Sequence, residues 1–467
     1  MILPSCESLV SDMNTDPNNA TDASAEYVFT GTLIANVAAQ EGIASRLTIC
    51  WNSYGYGTFQ QFGTFGQYQI TASNFDDDWN LFYTGAFKNS IIAIEKAETL
   101  GNNIMAGIMK VIQVHTIATV TELWGDAPYE EASNTELYPN PQFETQAELI
   151  PKLITRLDEA ITDLQTGVGT VGTSDFHFSG SASKWIEVAY TLKARLYMDL
   201  KQYDNAYTAA LSGISSYANS LYAPHGTTSS NNENCNYSFL TNVRAGSITA
   251  EGAYNAELLN PTNAIYRGNS KTNETARFKF YYNENGVNAV GVIEPNTLTT
   301  TAARGYFAQD ASFPLITYQE NVLTLAEAAL RSGKGFATAL AHLNTYRDFL
   351  NSGGYLHSTY KVADNYLYEA YVDSDFASGG IENADGISAE NALLREILEE
   401  RYVSFYGQHL GWNDERRTRT EGLGVKLTPT NGTQLPCRFI YSQNELNSNA
   451  NSPSPAPGLF EALSIYP

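Results

Sequence analysis

The sequence predicts an all-α fold, and three observations carry that prediction. Apolar residues recur at three- and four-residue steps, most clearly from Asn102 to Leu123 and from Ala147 to Leu164. Two further stretches read as a helix, a short break and a second helix. Between them the texture changes: two irregular, aromatic-rich stretches, about 51–68 and 217–313, carry few helical stripes. Long irregular stretches inside a compact protein are usually functional, so these are the expected ligand-bearing insertions. At roughly 150 residues per domain, 467 residues allow about three domains or one large domain with insertions. The second is the reading adopted: a tether over 1–24, then one helical domain over 25–467.

Taken in order, a helix is expected from Phe75 to Ala97, opened by Asp76, Asp77 and Asp78 as capping acids. The stripe from Asn102 to Leu123 stops at Gly125 and Pro128, a standard helix stop. Ala147–Leu164 follows, then a Gly/Thr/Ser loop over Gly167–Gly180. The first helix–turn–helix unit is Lys184–Leu200 with Asn205–Ser215, and the second is Gln319–Arg331 with Phe336–Leu350. Small residues such as Ala189, Ala194, Ala206, Ala326 and Ala329 sit where paired helices must approach. This resembles tetratricopeptide-type pairing, without the full repeat consensus. Glu390–Phe405 and a short helix over Asn413–Arg417 complete the set. No uninterrupted run of about 18 apolar residues occurs, so no membrane-spanning helix is expected.

Composition excludes several function classes. The balance of 27 Lys+Arg against 50 Asp+Glu gives a net charge of −23. That opposes nucleic acid and anionic lipid, which both need basic patches. Hydrophobic residues make up 43%, enough for a sizeable core and too many for a disordered chain. Tyr, at 30, outnumbers Lys and Arg combined. Tyr joins an apolar body to a polar tip, which suits sugars with their apolar faces and hydroxyl edges.

The search for catalytic chemistry finds no constellation. The six histidines form no HExxH, HxH or helical pair, and neither a GxSxG elbow nor a GxxxxGK[ST] loop occurs. Gly55 and Gly57 begin like a dinucleotide motif, but Gln60 breaks it. Glu399, Glu400 and Glu415 stand beside Arg401, Arg416 and Arg417, which reads as ion pairing along helices rather than a glycosidase pair. Aromatic residues in the irregular stretches remain as candidate ligand contacts: Trp51, Tyr54 and Tyr56 in a Gly-rich loop, and Tyr266, Tyr281 and Tyr282 in the long insertion. No cofactor is implied. Acidic Asp373–Asp375 could hold calcium, but solvated surface charge is the better reading of them.

Four cysteines, Cys6, Cys50, Cys235 and Cys437, lie far apart in sequence. Leu3-Pro4-Ser5-Cys6 has the layout of a bacterial lipobox, so Cys6 is the expected lipidation site, with a polar tether following it. At most one disulfide could then form among Cys50, Cys235 and Cys437.

Several segments carry a family resemblance. Glu122-Leu123-Trp124-Gly125-Asp126-Ala127-Pro128-Tyr129 resembles the "fGdvPy" segment of the SusD/RagB family. Trp79 and Tyr83 resemble its W-x-x-x-Y helix, and Leu325–Arg331 its "RAEAylR" helix. Glu396–Tyr402 and Trp412–Arg417 resemble two later helical segments. Arg438–Tyr441 with Glu445 and Asn447 resembles the closing pattern, and Asn14–Asn18 the start. The matches follow the family's order along nearly the whole chain. Ser442 and Val403–Gly407 depart from it, which points to a divergent branch without the prototype's starch site. The resemblance implies tetratricopeptide-like helix pairs forming a right-handed scaffold. It implies a surface-exposed lipoprotein of the cell outer membrane, anchored through Cys6, that is not an enzyme. Its role would be to capture a glycan and deliver it to a SusC-type TonB-dependent transporter. Peptide capture is the alternative within the family, and a secreted glycoside hydrolase the alternative outside it.

Overall fold

The computed structural model describes residues 23–286 and 291–466. Cys6, Asn14–Asn18 and nearly all of the tether therefore lie outside the described residues. Two helices that the sequence reading did not single out open the chain: α1 (Ala25–Glu41) and α2 (Ile43–Trp51). A short α3 (Gln60–Phe65) lies in the first irregular stretch. Next, α4 (Asp76–Asn80) runs through a π-helical stretch, Leu81–Phe87, into α5 (Lys88–Thr99). This is the helix expected over Phe75–Ala97, with its hydrogen bonding loosened in the middle. Asp76 does not cap it. Its Oδ1 instead accepts from Ser442 Oγ at 2.6 Å and Asn444 N at 3.0 Å, at the far end of the chain.

The centre is α6 (Asn103–Trp124). Nearly every side chain along it is buried, not one stripe only, so it is apolar all round. By length and composition it could cross a membrane, yet it is wholly covered by neighbouring helices. Lys110 is tolerated because its Nζ meets Asp163 at 2.7 Å. Helix α7 (Gln146–Thr166) starts in a capping box, Thr145 with Glu148, and ends at Gly167 with φ of 66°, a left-handed turn that favours glycine.

The first helix pair is α8 (Ala182–Asp199) and α9 (Tyr203–Ala210). Helix α9 ends before the expected Ser215, and Asn321 gives the reason. Its Nδ2 takes the carbonyls of Ala210 and Ile214 at 3.0 and 3.1 Å, replacing helical hydrogen bonds. Short helices α10 (Cys235–Tyr237), α11 (Tyr254–Leu259) and α12 (Thr275–Tyr281) lie in the long insertion. The second pair is α13 (Tyr318–Arg331) and α14 (Phe336–Asn351). After α15 (Asp373–Phe376) come α16 (Ala389–Ser404), α17 (His409–Thr418) and α18 (Gln443–Ser448). Helices α5 to α9 pack each on its neighbour in sequence, α9 packs on α13, and α13 on α14 and α16. That is the expected tetratricopeptide-like pairing in an all-α fold. Strands are short. One antiparallel pair matters: Leu221–Ala223 with Phe313–Ile316, Tyr222 facing Pro314. It ties together the two ends of the long insertion.

Cys50, Cys235 and Cys437 are free thiols, so the disulfide that the cysteine count allowed is not formed. Burial raises the Cys50 thiol to about 12, which keeps it protonated. Among the described residues no group of His, Cys, Asp or Glu could hold a metal ion. Of the acids considered for calcium, Asp375 is engaged elsewhere: Oδ2 accepts from Lys271 Nζ at 2.7 Å and Val372 N at 2.8 Å.

Candidate functional site

The strand pair that closes the insertion also forms one wall of a cavity of about 530 Å³. That size lies within the range of small-ligand sites. Its aromatic lining is Tyr217, Tyr222, Phe280, Tyr306 and Tyr355. Tyr217 is the most open of them, 38% exposed at the mouth. Behind them the rings continue as a packed layer. Tyr281 stacks on Tyr406 with centroids 4.6 Å apart and lies parallel to Tyr355 at 6.2 Å. The lining rings are therefore backed by other rings and held in place.

Polar groups on the wall come from three further elements: Gln319 from the first turn of α13, Gln408 just before α17, and Arg304 and His357 from loops. Gln319 Nε2 donates to Tyr222 OH at 3.1 Å, and Gln408 lines the wall with Tyr306. The amide oxygens of both glutamines are buried and have no partner within the protein. A buried acceptor without a partner is costly, and these two border the cavity, where a donor from a ligand or water would satisfy them. Arg304 is paired with Asp310, both Nε and Nη2 lying 2.9 Å from Oδ1. Burial, aided by Arg304, holds the His357 imidazole below its usual value, so it is neutral near pH 7. Burial likewise raises the Tyr222, Tyr306 and Tyr355 hydroxyls, which stay protonated. Among the described residues no Asp or Glu lines the cavity. Carboxylates gather elsewhere, around a hollow of about 250 Å³ lined by Glu382, Asp385, Glu396 and Glu399. There Arg267 binds Glu396 and Glu399, and Arg395 binds Asp385.

Comparison with known proteins places this architecture. Residues 17–442 match a family model, SusD-like_2, described as starch-binding associating with outer membrane. The chain belongs to the SusD-like family.

Solved structures agree on the fold. A SusD/RagB family protein from Bacteroides thetaiotaomicron superposes with a TM-score of 0.68 at 20% identity, covering 92% of this chain and 95% of that one. A SusD homologue from Bacteroides fragilis gives 0.68 at 17% identity, covering 95% and 100%. A chitin-binding protein gives 0.62 at 18% identity, covering 91% and 94%. Identities this low speak for the fold alone. No curated protein matches the sequence.

Within this SusD-like protein, four of the six aromatic candidates are corrected by the structure: they are core, not platform. Trp51 is 1% exposed, packed edge-on against Trp412 and Phe439, with Nε1 donating to Phe65 O at 2.9 Å. Tyr54 stacks on Tyr402 and donates to Tyr402 O at 2.6 Å. Only a glycine at 411 permits this, because a Cβ there would lie 2.0 Å from the Tyr54 hydroxyl. Tyr281 is fully buried, and Tyr282 donates to Tyr54 O at 3.1 Å. Each hydroxyl or indole found a partner inside, so burial cost little and the ring area went to the core. Tyr56 and Tyr266 are half-buried and outside the cavity lining. Tyr56 borders a separate hollow of about 290 Å³ with Gly57, Gly66 and Thr430. Tyr266 OH accepts from Glu274 N at 2.9 Å, a structural role. The cavity's own aromatics include near neighbours of the candidates: Phe280 adjoins Tyr281, and Tyr217 and Tyr222 open the insertion. Their signal was the insertion's boundary with the helix pairs, where loop and scaffold must meet.

Proposed function

We propose that this SusD-like protein is a non-catalytic glycan-capture protein, and that its ligand enters the cavity behind Tyr217. The observation that carries this is the combination of ring-backed aromatic walls with two buried amide oxygens awaiting donors. Aromatic faces stack on the apolar faces of sugar rings, and fixed acceptors orient their hydroxyls. The described lining carries no carboxylate, which supports a binding role, because glycoside cleavage needs two held across the bond. The family's association with the outer membrane supports the rest of the reading. Lipid on Cys6 anchors the protein to the cell surface, and the helical scaffold docks on a SusC-type TonB-dependent transporter that receives the glycan.

The test is retardation of the purified protein in gels containing a wide range of polysaccharides, with reducing ends assayed in parallel. Retardation by a glycan, lost in Tyr217→Ala and with no new reducing ends, is the expected result. New reducing ends would return the hydrolase reading, and binding confined to peptides would return the peptide reading. For the anchor, Cys6→Ala in the full-length protein should move it from the membrane fraction to the soluble fraction.

A further inference from the structure

The two unpartnered oxygens are held in place by burial and, at Gln319, by a hydrogen bond, and this restricts the ligand. Tyr306 OH donates to the backbone carbonyl of Tyr406 at 3.1 Å. Its only hydrogen is thus used, so Tyr306 has none to give the buried Gln408 Oε1, which has no partner within the protein. Beside the strand pair, Tyr222 OH receives Gln319 Nε2 at 3.1 Å, leaving Gln319 Oε1 free. Gln319 and Gln408 are each 5% exposed, so neither side chain can swing out to water. Among the described residues the one cation on the wall, Arg304, is already paired with Asp310. The cavity therefore offers acceptors, neutral rings and neutral hydroxyls such as those of Ser312 and Ser358, but no uncommitted positive charge.

Resting on the glycan-capture reading, we propose that this cavity selects neutral sugars rich in hydroxyl or amide donors and turns away uronate- and sulfate-bearing ones. Gln319 and Gln408 are the specificity-determining residues. An anionic group placed against either oxygen would meet a fixed partial negative charge, with no free cation beside it to offset it. The net charge of −23 adds a long-range repulsion of the same sign. A neutral sugar brings hydroxyl or acetamido hydrogens and satisfies both acceptors.

The experiment is calorimetric titration of the wild-type protein with neutral oligosaccharides of glucose, galactose, mannose and N-acetylglucosamine. Oligogalacturonate, oligomannuronate and a sulfated galactan oligosaccharide are titrated alongside. At least one neutral class should bind, with the acidic oligosaccharides weaker by about tenfold or more, the factor expected when a buried acceptor goes unmatched. Gln319→Leu and Gln408→Leu should each weaken neutral binding by about tenfold. Their melting temperatures report whether the fold survives, and the wild-type comparison does not depend on them. Acidic oligosaccharides that bind as tightly as neutral ones, and lose binding in Tyr217→Ala, would overturn the selectivity while leaving glycan capture intact. Neutral binding unaffected by both glutamine variants would overturn their assignment. No binding by any oligosaccharide would overturn the capture reading, and the selectivity with it.

Discussion

Two regions of the molecule use polar and aromatic groups in opposite ways. In the helical scaffold the buried charges gather into shared ion-pair sets. Glu327 of α13 receives Arg417 through both oxygens at 2.6 and 2.8 Å, with Arg331 at 2.7 Å and Arg401 at 3.3 Å. Burial alone would raise its carboxyl, but these three cations outweigh burial and hold it well below the usual range. Asp414 closes the set by bonding Arg401 at 2.7 Å and Arg417 at 2.8 Å. A second such set surrounds Arg267 and Arg277, both of which bind Glu274 and Glu400. In the cavity, by contrast, two buried amide oxygens are left uncommitted. The segments that carry the family resemblance build the first region. Trp124 Nε1 donates to Ile440 O at 3.0 Å, Tyr441 OH to Asp126 O at 2.6 Å, and Trp79 Nε1 to Glu445 at 3.3 Å. The recognisable residues hold the fold, and the cavity lining comes from sequence outside those segments.

The contrast is sharpest for the scaffold charges. Glu327→Ala should leave Arg401 and Arg417 to share Asp414 alone, with Arg331 held only by Glu421, and cost about 3–5 kcal/mol, measured by denaturant unfolding. A loss below about 1 kcal/mol would erase the distinction between the regions. Trp51→Ala should cost about 3–4 kcal/mol through its cavity and the lost indole bond, with a correspondingly lower melting temperature. Unchanged stability would return Trp51 to the list of exposed contacts.

A smaller effect of opposite sign is expected at Asp78. Burial raises its carboxyl from 3.8 to about 6, against the pull of Arg46. The folded state then binds the proton more tightly than the unfolded chain, so stability falls as pH rises from 3.8 to about 6. Asp78→Asn should stabilise the protein at pH 7 by on the order of 2–3 kcal/mol, and hardly at all at pH 4. Equal effects at both pH values would show that Asp78 is solvated. The smallest stability change is expected at the mouth of the cavity. Tyr217→Ala should lower stability by about 1 kcal/mol or less, yet remove glycan binding. Binding intact in a folded Tyr217→Ala protein would separate the cavity from the ligand.

The sequence by itself determined the helices with strong periodicity and the regions between them. The expected bounds of α6, α7, α13 and α14 agree with the structure to within two residues, because an apolar stripe closed by Gly or a cap is a local signal. Glu399, Glu400, Arg401 and Arg417 were legible as ion-pairing residues, but not their partners. Arg267 and Glu327 come from distant segments, and only packing brings them within 3 Å. The insertion over 217–313 was legible as an irregular region set between the helix pairs, and it supplies half of the cavity lining. Which ring faces the cavity was decided by tertiary structure alone. Phe280 and Tyr281 are adjacent and equally aromatic. One lines the cavity, while the other lies behind it, hydrogen-bonded to Tyr355 at 2.6 Å. Burial of a ring depends on what packs against it from elsewhere in the chain, and nothing in the local sequence encodes that.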